Sequence, residues 1–177
     1  MDNKLILDVC CAARQFWFDK DNSNTVYCDI RKAQNIVVGQ GENRRVRKIR
    51  PDLVMDFRDL KFENDTFQMV VFDPPHLFVG ETSFTAASYG RLDRNTYQED
   101  IRRGFSECFR VLKPKGTLIF KWNEYDVLIE DILKLCEYKP LFGHPSGKAQ
   151  LTHWITFMKL EDQKKEHGIQ SGIEFSK

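Results

Sequence analysis

An α/β fold, a single doubly wound and mostly parallel sheet, is predicted by three features of the chain. Short apolar runs recur and each ends in an aspartate. A long stretch of helical periodicity then precedes further apolar runs. Finally, 177 residues at 41% hydrophobic and 12% aromatic content suit one domain that buries a full core.

The elements follow in chain order. "KLILDV" (Lys4 to Val9), "TVYCD" (Thr25 to Asp29), "PDLVMDF" (Pro51 to Phe57) and "FQMVVFD" (Phe67 to Asp73) read as strands delivering Asp8, Asp29, Asp56 and Asp73 at their C-terminal ends. Runs apolar on both faces fit parallel strands covered by helices, and ligands of open α/β sheets bind outside the strands' carboxyl ends. The four acids are therefore expected to ring one crevice. From Thr96, the apolar residues Ile101, Phe105, Cys108, Phe109 and Leu112 recur at helical spacing, and "KPKG" (Lys113 to Gly116) is the expected stop before the strand "TLIFKW". A second helix is expected over roughly Glu124 to Tyr138, with Leu128, Ile132, Leu135 and Cys136 on one face, and "THWITFMKL" (Thr152 to Leu160) as the last strand. Domain 1–160 then leaves a polar tail, 161–177, expected to be mobile. Arg31 to Arg50 reads as a small hairpin or a loop turning on Gly39 and Gly41, and Leu77 to Asn95 as a polar stretch without period.

Lysine plus arginine number 27 and aspartate plus glutamate 26, so overall charge neither favours nor excludes nucleic acid. The five cysteines (Cys10, Cys11, Cys28, Cys108, Cys136) are odd in number and lack the spacing of zinc sites or secreted disulfide frameworks. A reducing, cytoplasmic setting and no metal are expected. The apolar run after Lys4 stops at Asp8, too short for a signal peptide or a membrane span.

Asp29 lies 21 positions after Asp8, close to the spacing at which an acid ending a second strand reaches a nucleoside ribose. Taken in order, "LILDVCCAARQFW", "YCDI", "DFRDLKFENDTFQMVVFDPPH" and "FSECFRVLKPKGTLIFKW" resemble the class I S-adenosylmethionine-dependent methyltransferases, over roughly Lys4 to Leu160. "DPPH" (Asp73, Pro74, Pro75, His76) is similar to the D/N-P-P-aromatic signature of amino methyltransferases that modify adenine N6, cytosine N4 or a protein glutamine amide. Small methyltransferases of this look occur in phage and prophage genomes. The resemblance implies a Rossmann-like sheet of seven strands with the last reversed, and S-adenosylmethionine as cofactor. It further implies ribose contacts from Asp29 with Ile30 beside it, Asp56 and Phe57 flanking the adenine, and Asp8 near the methionine amino end, with Val9, Cys10, Cys11 and Ala12 along the cofactor loop.

An exocyclic amine conjugated to a ring is a poor nucleophile, so catalysis needs acceptors for its N–H bonds as charge develops on nitrogen. Asp73 Oδ and the Pro74 carbonyl suit that task, while two prolines stiffen the corner and donate no hydrogen bond. His76 stands where the family has a larger stacking ring, and it titrates near neutral pH. The first motif also departs from the family's D-x-G-x-G-x-G, since Cys10, Ala12 and Arg14 occupy the glycine positions. Arg14 is expected to fork onto the cofactor's carboxylate. Cys10 and Cys11 read as small packing residues, and Phe16, Trp17 and Phe18 as core. Lys148 or His153 falls either near the substrate mouth or in a polar turn. "RRVRKIR" (Arg44 to Arg50), with Arg91, Arg94, Arg102 and Arg103, is expected to meet phosphates, and Leu77 to Asn95 to act as lid or reading element. Two other readings stay open: a protein glutamine or small amine as acceptor, and an inactive methyltransferase-like module that binds nucleic acid.

Overall fold

The computed structural model describes residues 4–38, 41–80 and 83–165. Seven strands form the sheet: β1 (Ile6–Asp8), β2 (Thr25–Asp29), β5 (Leu53–Val54), β6 (Phe67–Phe72), β7 (Leu112–Asn123), β8 (Phe142–Ser146) and β9 (Thr152–Met158), in the order β5-β2-β1-β6-β7-β9-β8. β1, β2, β5, β6 and β7 are parallel, and β9 runs against both β7 and β8. This is the Rossmann-like, mostly parallel plan with a reversed last strand that the sequence predicts. The order reverses at β1, between β2 and β6, which opens a crevice above their C-terminal ends.

Helix α2 (Tyr97–Val111) carries Glu99 and Asp100 in its first turn and Arg110 in its last, charges that complement the helix dipole. Its buried face, Ile101, Phe105, Cys108 and Phe109, lies on the sheet. There Phe72, Phe105 and Phe120 pack ring to ring at 4.8–5.6 Å. Gly104 lets this helix approach closely, because a Cβ there would stand 2.5 Å from Phe72 and 2.8 Å from Phe57. Phe57 is thereby held at the rim of the crevice.

Several connections differ from expectation. Residues 9–24 cross from β1 to β2 through turns, without a helix. Between β2 and β5 the chain forms an antiparallel hairpin, β3 (Gln34–Val38) with β4 (Arg45–Ile49), whose own small core is Ile36, Val38 and Ile49. Of its two turn glycines, Gly41 adopts φ 55° and Gly39 lies outside the described residues. "KPKG" does not precede a strand but lies within β7 as a bulge. Lys115 has φ 63°, and the register jumps from Phe67↔Leu112 to Met69↔Thr117. The segment 77–95 contains a short helix, α1 (Phe84–Tyr89), capped by the Ser83 hydroxyl accepting from Thr85 N–H.

The second long helix shrinks to α3 (Ile129–Leu133). Trp122 Nε1 donates to the Val127 carbonyl and the Glu124 carboxylate accepts from Ile129 N–H, so residues 124–128 form a turn and leave Leu128 58% exposed. Beyond α3, Lys165 Nζ binds the Leu133 and Cys136 carbonyls and Tyr138 bridges to Lys164. Residues 161–165 are therefore tied to the body, contrary to a mobile tail beginning at 161; the rest of that tail lies outside the described residues. Phe18 is fully exposed rather than core. No described helix is long and apolar enough to cross a membrane.

Candidate active site

β1, β2 and β6 end side by side, and the loop after β1 folds over them. Cys11 N–H donates to the Cys28 carbonyl at 2.8 Å and Ala12 N–H to Asp29 Oδ2 at 2.9 Å. Ala12 and Arg14 adopt φ of 45° and 50°, the left-handed region that glycine enters freely. The loop thus keeps a glycine-like path without glycine, at a cost of about 1–3 kcal/mol per residue. Arg14 offsets part of that cost. Its guanidinium lies 3.6 Å over the Tyr27 ring and donates to the carbonyls of Lys20 and Arg50 and to Asp52. Arg14 consequently lines neither lobe of the crevice, and the expected role as a carboxylate fork inside it is corrected: Nη1 and Nη2 clamp the loop to the β2 side.

The crevice has two lobes. The first, about 170 Å³ and open to solvent, is lined by Val9, Cys10, Ala12, Asp29, Ile30, Arg31, Phe57, Asp73, Pro74, Pro75, His76, Tyr89 and Gly90. The second lobe shares Cys10, Ala12, Asp73 and Tyr89 and adds Cys11, Gln15, Phe16 and Lys121. Ten expected residues meet in the first lobe and Cys11 in the second. Asp8, Arg14 and Asp56 reach neither.

Asp56 is diverted by Arg58, whose backbone N–H, Nε and Nη2 all bond its carboxylate while Nη1 bonds Asp100. Burial alone would raise this carboxyl, but Arg58 outweighs it and holds it below the usual range. Of the pair expected beside the adenine, Phe57 lines the crevice and Asp56 does not. Asp8 is fully buried behind the loop, accepting from Trp17 Nε1 at 2.8 Å and Cys10 N–H at 3.2 Å. Burial lifts its carboxyl to about 7, the two hydrogen bonds notwithstanding.

Asp29 accepts four hydrogen bonds, from Ala12 N–H, Arg31 N–H, Arg31 Nε at 2.7 Å and Arg31 Nη2 at 2.8 Å. A carboxylate offers about four acceptor positions, so this one is full. Arg31 Nη1 donates onward to the Ala87 carbonyl, tying α1 to the end of β2. Ile30, by contrast, is 59% exposed within the crevice and faces Phe57's lobe uncovered.

At the rigid corner, Asp73 Oδ2 accepts from Lys121 Nζ at 2.7 Å. His76 Nδ1 lies 3.3 Å from the Pro74 carbonyl, with the ring edge-on to Trp122 at 6.0 Å. Burial pushes the His76 imidazole below its usual range, against the pull of Asp73, so it is neutral at pH 7 rather than charged. Burial likewise raises the Cys10 and Cys11 thiols, which remain protonated packing groups. His153 Nε2 stands 3.0 Å from Glu124, and neither it nor Lys148 lines either lobe. Of the basic residues, Arg50 is spent on Gln34, Ile49 and Asn35, Arg47 lies over the Tyr89 ring, Arg94 over Phe78, and Arg102 and Arg103 bond Glu99 and the Arg58 carbonyl. Arg44, Arg45 and Lys48 are exposed on the hairpin.

Sequence reasoning missed Arg31, Lys121 and Tyr89. The signal for Lys121 was a lone cation in the apolar run "TLIFKW", and for Arg31 a cation two residues after a strand-end acid. Tyr89 had none, lying in a stretch without periodicity.

No protein-family model matches the chain, and no curated protein matches it in sequence. Solved structures do. A protein of Pyrococcus horikoshii is similar with a TM-score of 0.55 at 15% identity, over 87% of this chain and 81% of its own. A protein described as a SAM-dependent methyltransferase, from Methanosarcina mazei, gives 0.52 at 14%, over 90% and 94%. A Burkholderia thailandensis N1-methyltransferase, solved with 1,6-didemethyltoxoflavin and S-adenosylhomocysteine bound, gives 0.54 at 11%, over 89% and 71%. At such identities the likeness is one of fold.

Proposed function

We propose that this chain is an S-adenosylmethionine-dependent amino methyltransferase acting on an exocyclic amino group of a nucleic acid base. The observation that carries the reading is the Asp73-Pro74-Pro75-His76 corner forming one wall of a crevice whose other wall is Ile30 and Phe57. Two of the fold neighbours are described as methyltransferases, which supports it.

The crevice residues fit the cofactor. Exposed Ile30 and the Phe57 ring make an apolar slot suited to a flat purine, and the positive-φ loop brings backbone close to whatever lies above it. When bound, the cofactor supplies an electrophilic methyl on a sulfonium centre. The chain's task is to present the amine. Lys121 occupies Oδ2 of Asp73, so Oδ1 accepts one amine hydrogen and the Pro74 carbonyl, which has a second lone pair beside His76, accepts another. Holding both hydrogens favours a pyramidal nitrogen, and as charge develops Oδ1 receives the departing proton. Neutral His76 offers a ring face without adding charge near that nitrogen. Exposed Arg44, Arg45 and Lys48 on the hairpin serve as phosphate contacts, and α1, tethered through Arg31, serves as the lid. A base within a duplex has to be flipped out to reach the corner.

The filled Asp29 carboxylate favours a second reading, a module of this fold that holds no nucleoside. Calorimetry separates the two: the enzyme binds S-adenosylmethionine and carries labelled methyl to DNA or RNA, whereas heatless titration and no transfer to either polymer removes the enzyme reading. Ribose hydroxyls reach Asp29 only when Arg31 withdraws a donor. Arg31→Gln is therefore expected to bind adenosine about tenfold more tightly than wild type, roughly the worth of one charge-assisted hydrogen bond. Weaker binding in that variant would make Arg31 itself a contact of the nucleoside.

A further inference from the structure

Lys121 is held in place from three sides. Its ammonium donates to Asp73 Oδ2 at 2.7 Å and lies 5.6 Å from the Trp154 ring centre and 5.8 Å from that of Phe16. Those rings meet edge to face at 5.3 Å, and Trp154 is the cross-strand partner of Lys121 in the β7–β9 ladder. The side chains of the ion pair are only 21% and 17% exposed. Lys121 sits on the strand face opposite buried Phe120 and Trp122, so it points toward the second lobe by strand alternation rather than by chance of a flexible stem.

We propose that Lys121 determines acceptor specificity: by neutralising Asp73 through Oδ2, it restricts the site to an uncharged N–H donor conjugated to a ring or a carbonyl and excludes alkylammonium groups. This rests on the methyltransferase reading above. The physical reason is local charge balance. A bare carboxylate in a partly dry pocket attracts any cation, and a protonated alkylamine is the strongest competitor for it. Paired with Lys121, Asp73 presents no net charge but keeps one oxygen able to accept a hydrogen bond. A neutral amino group loses nothing by this, since it needs only an acceptor. An alkylammonium meets an attraction and a repulsion of similar size and gains nothing for its lost hydration. Specificity of this kind comes from the repulsive element.

The test uses the full chain with labelled S-adenosylmethionine and four acceptors: single-stranded DNA containing adenine, single-stranded DNA containing cytosine, a glutamine peptide and putrescine. Wild type is expected to methylate at least one uncharged acceptor about a hundredfold faster, by kcat/KM, than putrescine. Lys121→Met narrows that ratio at least tenfold, and Lys121→Arg restores it. Wild type preferring putrescine, or a ratio that Lys121→Met leaves unmoved, overturns the proposal. Putrescine binding is measured separately by calorimetry at low salt, without cofactor. About tenfold tighter binding by Lys121→Met supports the charge argument, and equal or weaker binding refutes it. If wild type transfers methyl to nothing, the methyltransferase reading fails, and the putrescine comparison still decides the role of Lys121.

Discussion

Asp73→Ala is expected to lower turnover by about 10²–10⁴-fold, the usual worth of a positioned proton acceptor, while cofactor affinity changes by no more than about threefold. The asymmetry follows from position. Asp73 is where the two lobes join, and of its oxygens only Oδ1 is free of Lys121. The apolar slot of Ile30 and Phe57 and the loop held by Cys28 and Asp29 make no contact through that side chain. Alanine removes the acceptor and leaves Lys121 without its partner, so Asp73→Asn is the sharper control. The amide keeps an acceptor oxygen, loses the charge, and should fall between wild type and alanine. Single-turnover transfer alongside calorimetry reads both quantities. Undiminished methyl transfer in Asp73→Ala would take this residue out of the chemistry.

The backbone plan was legible because it depends on patterns that act along the chain. Four apolar runs ending in aspartate appear as β1, β2, β6 and the short β5, and the corner at Asp73 to His76 follows β6 and lines the crevice. Side-chain direction was less legible, since it depends on partners distant in sequence. Asp56 and Asp29 end comparable strands, yet Arg58 turns the first toward Asp100, while Arg31 and Ala12 hold the second at the crevice. Arg14 sits at a glycine position and has the charge for a carboxylate ligand. Its left-handed φ sends it instead over Tyr27, a contact between residues 14 and 27 that no local pattern encodes. The expected helix at 124–138 failed for a similar reason. Its apolar spacing was real, but the bonds that end it come from Trp122 on one side and Lys165 on the other.

Asp8→Asn is expected to gain stability relative to wild type as pH rises. Asp8 is fully buried and, among the described residues, forms an ion pair with no cation, unlike Asp29 with Arg31 and Asp73 with Lys121. Its carboxyl therefore ionises only near 7 in the folded chain, against an ordinary value of 3.8. Between those two pH values the folded state holds a proton that the unfolded state has released, so stability falls as pH rises across that window and levels off above it. At 1.36 kcal/mol per pH unit, the loss amounts to about 4 kcal/mol by pH 8. Asparagine cannot ionise, but its NH2 group gives up one of the two bonds donated by Cys10 N–H and Trp17 Nε1, a cost that does not vary with pH. Whatever its value at pH 4, the stability difference should thus move by several kcal/mol in the variant's favour by pH 8, read from urea midpoints at fixed m-value. A difference that does not change with pH would show that Asp8 is ionised throughout or reached by water. A chain that retains such a cost at neutral pH has reason to use the charge. Among the described residues, Asp8, Asp29 and Asp73 face two partner cations, Arg31 and Lys121, and once Asp8 ionises, above about pH 7, the remaining negative charge favours a cationic ligand above the loop. Asp8→Asn should accordingly weaken S-adenosylmethionine more than S-adenosylhomocysteine, whose sulfur is neutral, and equal losses for the two would separate Asp8 from cofactor choice.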